Sequence, residues 1–322
     1  MPGMKTVMSL ALGAALTIGS TLLAQAASWP NGMVHIIVPF PPGGPTDVVA
    51  RLISIKLSKE IGQTVIVENK AGADGNLGAT YVANAAPDGN TLLFVVPGII
   101  TNTFFQKNAV NPITQLQPVI ALNRLANVLV VRPDLGVNTV EELEKLAKSK
   151  PGAVSCASSG SLPTVGCELF KARTGADIIM VRYKGNGPAL AALSSGEVSM
   201  LFDVVNTATE ASKAGRVKVL ATTNNEKMTG FFADLPLLKD KYEGFSLVAF
   251  QGLMAPIKTP KDTIVAVNAA VDKVLKDPEI QKAFEAASML PVGGSPEVFG
   301  EMIKGDTEKY STVVKGAGIQ PE

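Results

Sequence analysis

Short apolar runs recur along the chain, each cut off by Pro, Gly or Asn and followed by a stretch with helical spacing. Val34–Val38 (VHIIV) stops at Pro39, and Phe40-Pro41-Pro42-Gly43-Gly44-Pro45 joins neither helix nor sheet. Beyond Thr46 and Asp47, the residues Val49, Leu52, Ile53, Leu57 and Ile61 share one helical face until Gly62 ends it. Residues 64–68 (TVIVE) and 91–96 (TLLFVV) repeat the strand pattern. Between them lie a Gly-rich turn at 71–78, a helix to about Ala86 and the turn Pro87-Asp88-Gly89-Asn90. Strand alternating with helix predicts an α/β fold whose mainly parallel sheet gathers its loops at one edge. Ligands of such sheets bind beyond the carboxyl ends of the strands, so 40–47, 69–76 and 97–103 are expected on one rim.

A long apolar stretch, 119–132, reads as a strand interrupted around 123–127 and crossing into a second lobe. The alternation then restarts. Strands are expected at Val154–Ser158, Ile178–Arg182, 198–203 and 217–221, and helices at 141–149, 167–174 and 188–195. Residues 245–255 read as the return crossing. Three amphipathic helices, 263–275, 279–287 and one from Pro296, are expected to pack back on the first lobe. The organisation is therefore a discontinuous domain, 27–123 plus 252–322, and a second domain, 124–251. Two lobes, two crossings and facing rims describe a hinged clamshell.

Residues 1–26 have the features of a secretory signal peptide. Lys5 precedes the apolar run 10–23, and Ala24-Gln25-Ala26 forms a cleavage site with the mature chain starting at Ala27. The chain has 322 residues, 46% hydrophobic and 18% charged, enough for two lobes. A formal net charge of +1 and 5% aromatics argue against nucleic acid as a partner.

His35 is the single histidine and lies inside an apolar strand run, where packing explains it. With one histidine, Ser-His-Asp chemistry and zinc sites are disfavoured, and neither a metal nor a cofactor is expected. Cys156 and Cys167, eleven residues apart, either close a small loop or serve as buried apolar residues.

Candidate chemistry sits in the loops. The prolines of 39–45 lower the entropy of the unliganded loop, and Gly43 and Gly44 let backbone approach a ligand. Thr46 or Asp47 can cap the following helix, whose free N–H groups favour an anion. The alternative is an ordinary strand-to-helix connection. The polar run 158–164 (SSGSLPT) is a second anion cradle or a capped surface turn. Tyr183-Lys184-Gly185-Asn186-Gly187-Pro188 is a third loop. Asp203, at the end of Met200-Leu201-Phe202, either faces the cleft or caps a helix beginning near Asn206.

The chain resembles the extracytoplasmic solute receptors of tripartite tricarboxylate transporters, the Bug family. The segments that carry this are VPFPPGGPTD (38–47), VENKAGADGNLG (67–78), APDGNTLL (86–93), ELF (168–170), VRYKGNGPAL (181–190), GEVSMLFD (196–203) and 317–319. The resemblance implies a periplasmic, two-lobed binding protein fold of type II-like topology, each lobe a mixed, mainly parallel sheet flanked by helices. It implies no enzyme activity. A small carboxylate would be sealed in the cleft by backbone amides and waters, then delivered by a monomeric receptor to permease subunits. Carried onto this sequence, Phe40, Pro42, Gly43, Gly44, Thr46 and Asp47 form one side of the pocket. Ser158, Ser159, Gly160, Ser161 and Thr164 form the facing side, and Asp203 closes the MFD-type motif. A ligand sensor for a signalling partner is the alternative role, and an exported hydrolase using Ser159 or Ser161 a third. Three departures stand out. The facing loop lacks the family's histidine and contains Leu162-Pro163, Asp74 replaces the usual Gly, and Arg182 replaces Pro. The stiffer, less polar loop points to a ligand with an apolar portion, such as an aromatic or branched acid.

Overall fold

A computed structural model describes residues 29–228, 230–316 and 318. The expected signal segment, 1–26, lies outside the described residues, as do 317 and 319 of the last resemblance segment.

The first lobe begins with β1 (Val34–Val38), α1 (Pro45–Ile61), β2 (Val65–Asn69), α2 (Asn76–Ala83), β3 (Thr91–Val95) and the short α3 (Pro97–Thr101) and α4 (Pro112–Gln115). Then β4 (Leu116–Val131) leaves it. The second lobe holds α5 (Val140–Ser149), β5 (Val154–Ser158), α6 (Ser161–Thr174), β6 (Ile178–Arg182), α7 (Asn186–Ser194), β7 (Met200–Val204), α8 (Val205–Lys213), β8 (Lys218–Thr222) and α9 (Leu238–Lys241). The chain returns through β9 (Val248–Pro256) and closes with α10 (Lys261–Leu275), α11 (Pro278–Ala286), β10 (Met289–Gly293) and α12 (Pro296–Gly316).

Each lobe carries a mixed sheet. β2, β1 and β3 run parallel, as do β6, β5 and β7, while β9 and β4 join the two sets by antiparallel pairing. The expected interruption at 123–127 is absent: β4 is one continuous strand. Residues 116–126 of it pair with β9 in the first sheet, and 127–131 pair with β7 and β8 in the second. Its two asparagines do not break it because each finds a partner. Asn123 donates to Gln251 Oε1 at 2.9 Å and Asn127 donates to the Leu247 carbonyl at 3.0 Å.

Each sheet is covered on both faces. Val49, Ile53 and Leu57 of α1 bury against Ile36, Leu92 and Phe94, with Val267 and Val271 of α10 and Phe284 of α11 completing that layer. In the second lobe, Phe170 of α6 meets the rings of Phe202 of β7, Tyr242 and Phe245 edge-on in one aromatic cluster. The expectation that all three terminal helices pack on the first lobe holds for α10 and α11 only. α12 is shared. Phe299 and Ile303 join the first-lobe core, whereas Tyr310 and Val314, on the same helix face, join the second. Gly252 of β9 permits this approach, because a Cβ there would collide with the Phe299 ring.

One side-chain reading changes and one open alternative is decided. His35 is not packed; it is partly exposed, its Nδ1 2.5 Å from Glu68 Oε1 on β2, so pairing accounts for it in the apolar run. Cys156 of β5 and Cys167 of α6 are bonded to each other, stapling strand to helix.

Candidate functional site

The loops after β1, β3, β5, β6 and β7 and the crossing strands β4 and β9 enclose a cavity of about 720 Å³. From the first lobe come Phe40, Pro42, Gly43, Gly44 and Thr46, from the second Ser159, Gly160 and Ser161. Eight of the expected residues thus line one space. The other four, Asp47, Ser158, Thr164 and Asp203, lie behind it, each no more than 5% exposed.

Behind the opening loop, Asp47 works as a brace. The helix starts two to three residues earlier than caps at Thr46 or Asp47 would place it, at Pro45 with Gly44 before it, and no side chain caps it. Proline suits that first position, because its missing N–H would have had no helical partner. Asp47 instead turns back. Its Oδ2 accepts from the Gly43 N–H at 3.0 Å and from Arg51 Nε at 2.9 Å, while Oδ1 accepts from Asn69 Nδ2 at 2.9 Å. Asn69 Nδ2 also lies 3.1 Å from the Phe40 carbonyl. The Arg51 hydrogen bond leads in holding the Asp47 carboxyl down at about 2, helped by Gly43 and Asn69 and opposed by burial. Asn69 is the contribution of 69–76, and none of those residues lines the cavity. The expected rim loop is a buttress.

The facing loop is braced without charge. The Ser158 and Thr164 hydroxyls hydrogen-bond each other, and Thr164 Oγ1 donates to the Gly160 carbonyl at 2.7 Å. Expected as a loop before a helix at 167, residues 161–164 already form the first turn of α6. Pro163 fits there because first-turn N–H groups need no helical acceptor. Gly160 has φ +152°, a region side chains rarely enter. Ser161 Oγ donates to Asn102 Oδ1 at 3.0 Å, a hydrogen bond from one lobe to the other.

Asp203 is 1% exposed. Its Oδ1 accepts from Asn186 Nδ2, the Val204 N–H and Thr207 Oγ1 at 2.9, 2.7 and 2.6 Å, and its Oδ2 has no partner among the described residues. Burial raises its pKa from the ordinary aspartate value, against those three hydrogen bonds. Through Asn186, which lines the cavity, Asp203 positions the start of α7.

Residues at the first turns of α1, α6, α7 and α8 all line the cavity: Pro45 and Thr46, Ser161 and Leu162, Asn186 and Gly187, and Asn206. Each such end presents backbone N–H groups and the positive end of a helix dipole. Among the described residues, no Asp, Glu, Lys, Arg or His lines it. The walls between are apolar: Val96, Leu125, Leu162, Phe202, Ala249 and Phe250. An anion here is held by peptide dipoles while its body rests on hydrocarbon.

The strand residues Leu125, Asn127, Ala249 and Gln251 form the floor where β4 meets β9, and no loop-based reading would find them. The available signal was Gln251 standing alone inside the otherwise apolar β9, and the asparagines within the long β4 run.

Residues 49–319 match the family described as the tripartite tricarboxylate transporter family receptor. BugT of Bordetella pertussis is 32% identical over 309 residues, covering 94% of this chain and 95% of BugT. An R. palustris protein solved with adipate is 32% identical, with a TM-score of 0.81 over 91% of this chain and all of the other. MatC from Rhodopseudomonas palustris with bound malate is 30% identical, with a TM-score of 0.77 over 89% of this chain and all of MatC. The periplasmic binding protein BugD is 29% identical, with a TM-score of 0.78 over 91% of this chain and all of BugD. With a match of this length, two lobes around one cavity and a dipole-lined, uncharged interior, the chain belongs to the tripartite tricarboxylate transporter family of solute-binding receptors.

Proposed function

We propose that this chain is a periplasmic receptor that captures a small organic acid between its lobes and delivers it to tripartite tricarboxylate-type permease subunits. The observation that carries the reading is the cavity itself, into which the N-termini of α1, α6, α7 and α8 open and which no charged side chain among the described residues lines. A carboxylate is the anion such a site suits, and the similar R. palustris proteins hold adipate and malate. The apolar walls, with Leu162 and Pro163 among them, support a ligand with a branched or aromatic body. The twelve residues expected from the sequence divide into eight that would touch the ligand and four that hold the loops in shape. Capture works by differential affinity: contacts from both lobes favour the closed state, and permease subunits read that state. Residues 1–26 act as a cleaved export signal, and the mature receptor works as a monomer.

Native mass spectrometry of the purified mature protein, followed by a thermal-shift screen of organic acids, tests this. A ligand at about 100 times its dissociation constant stabilises by about 2.7 kcal/mol and raises Tm by roughly 5 °C. A co-purified acid or a saturable carboxylate hit is expected. Silence in both experiments would remove the receptor assignment.

A further inference from the structure

Resting on the receptor reading, we infer that capture of an organic anion is coupled to protonation of Asp203, so the receptor takes up a proton as it binds. Asp203 stands at the starts of two helices at once. Its Oδ1 accepts from Asn186 Nδ2 at the first residue of α7, and from the Val204 N–H and Thr207 Oγ1 where β7 turns into α8. Asn186 and Gly187 at one helix start, with Val204 and Asn206 at the other, also line the cavity. The Asp203 carboxyl therefore lies behind the two helix ends whose front faces the bound anion. Both negative groups draw on the same positive dipole ends.

Among the described residues no cation answers the Asp203 charge. Leu201, two residues back on the same face of β7, packs with Ala189 of α7 and Ala208 of α8, whereas α6 packs on the other face against Phe202. α7 has no charged residue, Lys184 before it is exposed, and Tyr183 turns its hydroxyl to Glu197. On α8, Glu210 and Lys213 pair with each other at 3.5 Å. The strand neighbours are Val128 of β4 and the uncharged β5. Two anions at one pair of helix ends, shielded from water, repel, and the repulsion is relieved when one of them takes a proton. Asp203 is the one to take it. Burial already raises its pKa, and its Oδ2 has no partner, so a proton there breaks none of the three hydrogen bonds. The ligand has to keep its charge to be gripped by backbone N–H groups. Affinity therefore rises as pH falls through the Asp203 pKa of the liganded receptor and levels off below that of the free one.

Calorimetric titration of the mature protein with benzoate and 4-methylpentanoate tests this, or with the acid that the thermal-shift screen returns if neither binds. Titrations run from about pH 8.5 to about pH 5.5, each in two buffers of different ionisation enthalpy, so that protons taken up on binding are counted. The wild-type affinity is expected to rise about threefold or more across that range, with net proton uptake. Asp203→Asn keeps an acceptor for all three donors and is neutral at every pH. It should hold the low-pH wild-type affinity throughout and take up no proton. Should that variant lose its fold, ligand-difference infrared spectra of the wild type decide: a new carboxylic-acid C=O band supports the inference and its absence overturns it. Wild-type binding without proton uptake overturns the inference and leaves the receptor reading standing, as does an unaltered pH profile in a folded Asp203→Asn. A screen that returns no acid overturns the receptor reading and this inference with it.

Discussion

At the first-lobe rim a buried carboxylate holds the loop in shape, whereas at the facing rim two hydroxyls and a disulfide do so. Asp47 gathers the Gly43 N–H, Arg51 and Asn69 onto one side chain. Opposite it, Ser158 and Thr164 close on each other above the Cys156–Cys167 staple. Both arrangements keep side-chain polarity behind the loop and leave backbone N–H groups facing the cavity. The charged brace concentrates its stability in one titratable residue, while the neutral brace spreads it over covalent and hydrogen bonds.

That contrast can be broken most forcefully by Asp47→Ala, which removes at once the acceptor shared by Arg51, Asn69 and the Gly43 N–H and leaves the Gly43 N–H without its partner. A loss of about 3 kcal/mol is expected, read as a Tm drop of roughly 6 °C and weaker ligand binding. Gly44→Trp comes next and acts on the ligand instead of the brace. The nearest atom to a Cβ there is the Pro41 carbonyl oxygen at 3.6 Å, so the fold accepts the side chain. The indole should occupy the cavity and cut affinity at least about a hundredfold, or about 2.7 kcal/mol, by calorimetry. Unchanged affinity would take the opening loop out of the site. Removing the staple with paired Cys156→Ala and Cys167→Ala reopens a short loop and should cost about 2 kcal/mol, visible in chemical denaturation. The smallest effect is a pH response confined to one rim. The Asp47 pKa is lowered from 3.8 to about 2 by folding, so its contribution is full above about pH 4 and is lost as pH falls toward 2. Between pH 7 and pH 3 about 1 kcal/mol of local opening energy should vanish at 43–48. Residues 158–164 contain no titratable side chain and should not respond, which amide exchange followed by mass spectrometry can compare.

Much of this architecture was legible because it is written in periodicity. β1, β5 and β6 follow directly from VHIIV, VSCAS and IIMVR, and Gly62 ends α1 in the left-handed conformation that glycine favours. What escaped was anything decided by partners distant in sequence. β4 looked broken because Asn123 and Asn127 are poor strand residues in isolation, and only Gln251 and the Leu247 carbonyl, more than a hundred residues later, make them acceptable. β10 was missed because LPVGG reads as a turn until β4 supplies the ladder. The expected site mixed residues of the loops with residues of the cavity. Thr46 and Asp47 are neighbours, yet only Thr46 lines the cavity, and nothing local says which way each side chain turns. Asp74 illustrates the reverse. Expected to stand where the resemblance puts a glycine, it has a φ of +50°, a conformation that glycine adopts without strain.

α12 has a thermodynamic consequence. Its single apolar face gives Phe299 and Ile303 to one core and Tyr310 and Val314 to the other, so neither core is complete without it. If either half of the molecule melts, the helix loses part of its support and withdraws from the remaining half. The two lobes should therefore unfold as one cooperative unit, with a single calorimetric peak whose measured enthalpy equals the van't Hoff value.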